Sequence, residues 1–127
     1  MTVSESVVKH ILKIYGEAWS EQRVDKLLSI FLETATYHED VFEKPFIGNK
    51  EIAEYWESKV VQEESDIEFK LLNYYISGNF VTAEWDASFN SNIKNARIHI
   101  REVAIIEIYD DKILSLREYW HTEKKEA

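Results

Sequence analysis

Apolar residues recur at three- and four-residue intervals near the start of the chain: Val7, Val8, Ile11, Leu12, Tyr15 and Trp19. That interval puts them on one stripe of a helix. The spacing predicts a helix from Val3 to Trp19, opened by Thr2 and Glu5 at capping-box separation. After a polar break at 20–23, a second helix is predicted from Val24 to Leu32, with Leu27, Leu28 and Phe31 inward. The period then falls to two. Tyr37, Glu39 and Val41 alternate with His38, Asp40 and Phe42, which predicts a strand from Ala35 to Phe42. A loop carries Pro45, the single proline, and Gly48. Asn49 is the predicted N-cap of a third helix. That helix has Ile52, Tyr55, Trp56 and Val60 on one face and Lys50, Glu51, Glu54 and Glu57 on the other.

Beyond the acidic patch Glu63-Glu64-Ser65-Asp66, strand periodicity holds to the end. Strands are predicted at Ile67–Ser77, Phe80–Phe89, Ala96–Tyr109 and Lys112–His121. They are joined by a Gly78-Asn79 turn, a polar loop at 90–95 and an Asp110-Asp111 turn. The tail, 123–127, is expected to fray. Short links make such strands antiparallel neighbours. Helices gathered on one side of them give an α+β domain. The 127 residues form a single domain, 1–127, in which a curved antiparallel sheet packs on three N-terminal helices and encloses a cone-shaped cavity.

Charge and composition narrow the function. Fifteen basic against twenty-four acidic residues give a net charge of −9. That argues against nucleic acid and against an anionic membrane surface, since both are bound through Lys and Arg. With no cysteine there is no disulfide, thiolate nucleophile or thiolate zinc site. The start lacks the basic and apolar regions of a signal peptide, so a cytoplasmic protein is expected. An acid on a partly apolar strand face is the first sign of a site, because burying a lone carboxylate is costly. Glu39 is that acid. His38, His99 and His121 fall on separate strands without metal-ligand spacing, so no metal and no cofactor is expected.

Several stretches carry a family resemblance: Phe31 to Tyr37 followed by His38-Glu39, then Pro45 and Gly48, the Ile52/Tyr55/Trp56 helix, and Asp111-Lys112-Ile113 through Leu116-Arg117-Glu118-Tyr119-Trp120. In their order and spacing the chain resembles the nuclear transport factor 2-like superfamily, especially its SnoaL-like polyketide cyclases and ketosteroid isomerases. The resemblance implies Glu39 as a general base on the early strand and Tyr15 as a hydroxyl donor from helix one. The late-strand aspartate of the isomerases falls on or near Ala104, which cannot donate a hydrogen bond. The same pattern puts Leu116, Glu118 and Trp120 on the cavity face of the last strand, and Glu102 shares parity with Ala104. Glu118 then brings a second carboxyl into the cavity, where one of two acids holds its proton to higher pH. The competing reading pairs Glu118 with Arg101 as a structural ion pair.

The sequence thus predicts a hydrophobic pocket lined by Tyr15, Trp19, Tyr55, Trp56, Trp85 and Trp120, for a small hydrophobic molecule. Two functions compete for it. One is an isomerase- or cyclase-like enzyme acting on a carbonyl compound; the other is a non-catalytic ligand-binding or protein-interaction module of the same fold. The consecutive apolar run Val103-Ala104-Ile105-Ile106 further predicts a homodimer through the outer face of the sheet.

Overall fold

The computed structural model describes residues 2–125. The first helix, α1 (Glu5–Ser20), begins two residues later than predicted. Its N-cap is Ser4, whose hydroxyl accepts from the Val7 amide at 3.3 Å, and not Thr2. The predicted stripe is correct. Val8, Ile11, Leu12, Tyr15 and Trp19 are all buried against the concave side of the sheet. Each such side chain contributes about 1.5–3 kcal/mol. Gly16 lies on the same side, and its missing side chain admits the ring of Phe69; a Cβ there would stand 2.6 Å from that ring.

The second helix, α2 (Val24–Leu28), is shorter than predicted, because Phe31 and Leu32 belong to the first strand, β1 (Phe31–His38). Their apolar spacing suits either element. Pairing decides it, since Phe31 lies opposite Ile113. The two-residue strand β2 (Phe46–Ile47) leads into α3 (Gly48–Trp56). Asn49 is not its N-cap. Ile47 holds that place without a side-chain bond, and Glu51 instead reaches back to accept from the Ile47 amide at 2.9 Å. A π-helical turn, Glu57–Val61, closes the helical half.

Four long strands follow: β3 (Glu64–Ser77), β4 (Phe80–Ser91), β5 (Ala96–Tyr109) and β6 (Lys112–Lys125). Within the described residues the tail does not fray, since Glu123 to Lys125 pair with Arg97 to His99; 126–127 lie outside them. At the β5–β6 turn both Asp110 and Asp111 have positive φ, 52° and 60°, as a tight two-residue hairpin of matching twist requires. The sheet runs in the order β2-β1-β6-β5-β4-β3. It is antiparallel throughout except that β1 runs parallel to β6. Register shifts within β3 and near the Glu107/Ile108 step bend the strands, and the sheet curls over the helices without closing. No helix among the described residues is long and apolar enough to cross a membrane.

Candidate functional site

Three elements converge on the floor of the cone. From α1, Tyr15 and Trp19 point inward four residues apart, the neighbour spacing of a helix face. From β1, the pleat that buries Ala35 also buries Tyr37. From the centre of the sheet come Glu102 on β5 and Glu118 on β6. Ala104 lies opposite Glu118 and Glu102 opposite Trp120, so the two glutamates are diagonal neighbours on one face. Both are buried, at 3% and 6% exposure.

The tyrosines meet the second of these acids. The Tyr15 hydroxyl donates to Glu118 Oε1 at 3.0 Å, and the Tyr37 hydroxyl donates to the same oxygen. The two hydroxyl oxygens are 3.2 Å apart. Glu118 is therefore not the ion-pair partner of Arg101. That guanidinium lies on the outer face, 3.0 Å from Asp86. Glu102 meets Glu118 itself: the two carboxyls share a hydrogen bond that holds the proton on Glu102 and favours the charge on Glu118. The indole N–H of Trp85, directly across on β4, lies toward Glu102 without reaching hydrogen-bond geometry. Glu102 Oε2 and Trp85 Nε1 are both buried without a partner among the described residues.

Above this floor is a cavity of about 200 Å³. It is smaller than the roughly 300–1,000 Å³ that accommodates drug-sized molecules. Besides Tyr15, Tyr37, Glu102 and Glu118, its walls include Trp19, Tyr55, Trp56, Glu39 and Glu64, and Trp120 stands at the rim with about a third of its surface exposed. Glu39 lies just past the end of β1, half-buried, and keeps the inward parity of Tyr37. Three of the predicted lining residues do not reach the space. Trp85, Ala104 and Leu116 are fully buried, and Trp85 packs behind Tyr15 with ring centroids 4.9 Å apart.

The lining is also more polar than the predicted hydrophobic pocket, and part of that polarity comes from Tyr37 and Glu64, which are not among the predicted lining residues. Tyr37 shares the parity of Glu39, which is a legible signal. Glu64 belongs to a patch that reads as solvated surface, yet it is 7% exposed and accepts from Trp19 Nε1 at 2.9 Å. Gln22 holds it there, its amide donating to the Glu64 carbonyl at 2.6 Å and to the Val60 carbonyl at 2.9 Å. Lys59 and Lys94 stand at the mouth on exposed side chains, Lys59 being 3.3 Å from Glu63. His38 and Asp40 stay out of the lining, and the Asp40 carboxyl caps a local turn through the Phe42 amide. No cluster of three metal-ligating side chains occurs among the described residues.

Burial dominates the titration of every acid here, because it disfavours the charged form. Burial, then the charge of Glu118, holds Glu102 well above the ordinary carboxylate range. Glu118 is raised to about 7 by burial, even though the hydrogen bonds from Tyr37 and Tyr15 pull it down. Glu64 also rises to about 7 through burial, opposed by the Trp19 bond. Glu39 is raised by burial and partly offset by Lys59. Near neutrality the floor thus holds a protonated carboxyl, Glu102, beside one poised to ionise, Glu118. Such a pair can give and take protons.

A family model described as the SnoaL-like domain matches residues 12–116. No curated protein matches the chain in sequence. Among solved structures, the chain is similar to the epoxide hydrolase/cyclase-like enzyme SalBIII of pyran ring formation in polyether salinomycin, with 23% identity, 93% of each chain covered and a TM-score of 0.79. It is similar to an NTF2-like protein of Anabaena variabilis, at 17% identity, 95% of this chain and 94% of that one, and a TM-score of 0.80. A type 2 hexachlorocyclohexane dehydrochlorinase gives 14% identity, 95% and 88% coverage and a TM-score of 0.78. At these identities the likeness is one of fold.

Proposed function

The chain belongs to the SnoaL-like domain family, and from that footing we propose that its cavity is the active site of an acid–base enzyme, isomerase- or cyclase-like, acting on a small carbonyl compound. The observation carrying this reading is the pair of buried carboxyls, Glu102 and Glu118, which line an open space and share a proton between them. A neutral acid so placed donates to a carbonyl oxygen as negative charge develops on it. Glu39, half-buried and with no side-chain hydrogen bond among the described residues, serves as the base for a proton on the adjacent carbon. Tyr15 and Tyr37 work through Glu118: by stabilising its ionised form they help keep the proton on Glu102. The walls from Trp19, Trp56 and Trp120 take the apolar edge of the substrate.

The test is exchange of α-hydrogens for deuterium in small ketones, followed by NMR. Wild-type protein should accelerate it, and Glu39→Gln should lower the rate about 10²–10⁴-fold. Exchange unaffected by that substitution would remove Glu39 from the role. A second reading, the non-catalytic binding module, is favoured by one observation: both tyrosine hydroxyls are already spent on Glu118. Ligand binding by the wild type without any exchange would select it.

For the assembly we propose a homodimer through the outer face of the sheet, where Tyr75, Tyr109 and Tyr119 are exposed and Val103 and Ile105 are half-buried. A stable interface there would cover roughly 800 Å² on each copy. A monomer in sedimentation at micromolar concentration would refute it.

A further inference from the structure

Resting on the reading of the cavity as the site of a small carbonyl compound, we propose that this compound is a hydroxy ketone, whose hydroxyl is received by the free oxygen of Glu64 while its carbonyl meets the floor. The acid–base chemistry above leaves Glu64 idle, although it is buried and lines the same space. Trp19 Nε1 donates to its Oε1 at 2.9 Å. Its Oε2 takes no bond from the described residues and is not sealed off, so it opens on the cavity. Tyr55, on the same lining, feels the charge of this carboxyl.

The fold holds Glu64 in place at a cost. Gln22, just past the end of α1, has a φ of 58°, a left-handed conformation that glycine more often fills at a helix end. Glutamine there supplies the amide that donates to the Glu64 and Val60 carbonyls, at 2.6 and 2.9 Å. From the other flank, the Asn92 amide donates to the Glu63 carbonyl at 2.8 Å. Burial raises the titration of Glu64 to about 7, so near neutrality its charge works against the fold. Packing asks for no charge here, since a glutamine side chain would accept from Trp19 equally well. A carboxyl retained against stability and opening on a cavity marks a functional position.

Spacing and protonation state select the ligand. Tyr15 bonds Glu118, and Trp19, one turn further along α1, bonds Glu64. A turn advances about 5.4 Å, and the two rings have centroids 6.4 Å apart. The floor carboxyls and Glu64 are thus two polar stations separated by about one helical turn along an aromatic wall. A cyclohexane ring with an oxygen at each end has this reach. Near pH 7 Glu64 is present both as acid and as carboxylate. A second carbonyl would suit only the acid and a cation only the carboxylate, whereas a hydroxyl donates to one and accepts from the other. The charged and titratable groups around Glu64 are Lys59 in the π-helical turn, Glu63 beside it, Tyr55 from α3 and Lys94 from the loop after β4. Lys59 favours the carboxylate and Glu63 the acid.

Two ketones decide the matter: 4-hydroxycyclohexanone, with the two groups at opposite ends of one ring, and cyclohexanone, which lacks the hydroxyl. Binding of each is followed by calorimetry and decides the assignment whether or not the site turns over. At about pH 8.5 the hydroxy ketone should bind wild-type protein roughly tenfold tighter or more, through a bond to a charged acceptor. By about pH 5.5 the preference should fall to a few-fold, because the bond is then to a neutral acid. Any effect of Glu118 on the carbonyl is common to both ketones and cancels in the ratio. Glu64→Met should bring the ratio to about one. Glu64→Gln keeps the Trp19 bond and secures the test if the methionine variant does not fold; it should show a few-fold preference with no pH dependence. Equal binding of the two ketones to the wild type at the higher pH overturns the hydroxyl assignment and leaves the cavity as a carbonyl site. A full, pH-dependent preference retained in Glu64→Gln overturns it as well. Failure of both ketones to bind overturns it together with the reading on which it rests.

Discussion

Glu64→Gln should make the protein more stable at alkaline pH and leave it unchanged at acid pH. Glutamine keeps an oxygen for the Trp19 N–H at 2.9 Å and removes only the charge. In the unfolded chain a glutamate titrates at its ordinary value of 4.5; in the fold, Glu64 titrates at about 7. Between these two values the folded state binds more protons than the unfolded one, so stability falls as pH rises through the window. At about 1.4 kcal/mol for each pH unit separating the two titrations, the charged side chain costs about 3 kcal/mol above pH 7 and nothing below pH 4.5. Urea denaturation of wild type and variant at about pH 4 and pH 8 reads this directly. The curves should coincide in acid, and the variant midpoint should lie higher in alkali. Parallel pH dependence in the two proteins, or a variant weaker at the higher pH, would refute the reasoning.

Gly16→Ala is expected to destabilise, although alanine is the better helix former by about 1 kcal/mol. The new Cβ meets the Phe69 ring at 2.6 Å and overpacks the joint by about 1–3 kcal/mol, seen as a lowered Tm; a raised Tm would show that the ring can turn aside. Tyr37→Phe should move the titration of Glu118 upward from about 7, because a hydrogen bond favouring the carboxylate is lost. NMR of the labelled glutamate side chains follows it, and an unmoved or lowered titration would deny Tyr37 that role.

Much of the fold is legible because two hydrophobic periods alternate cleanly along the chain. The α1 stripe and the bounds of β5, Ala96 to Tyr109, follow from periodicity alone. Phe31 and Leu32 do not, since their strand state depends on a parallel partner, Ile113, far along the chain. The site divides in the same way. Glu39 is turned inward by strand parity and Tyr15 by the α1 stripe, whereas the inward Glu118 comes from the family resemblance and not from periodicity. Glu64 is not: local polarity marks it as surface, and only the clamp from Gln22 and the end of α1 turns it inward. Trp85 and Leu116 are correctly inward, yet they lie beneath the layer that faces the cavity. A period of two gives a side chain's direction and not its depth.

The parallel seam between β1 and β6 sets a condition on how the chain comes to life. Tyr37 and Glu118 stand 81 positions apart, and the ladder that brings them together cannot zip until β6 exists. During synthesis α1, α2 and β1 emerge first and must wait, with the inner face of β1 uncovered, while four long strands are made. Closing so wide a loop costs entropy before any contact rewards it, which places this seam late and slow in folding. A waiting edge strand of this kind is where a nascent chain meets other chains, so the last strand to be made is also the one that protects the first.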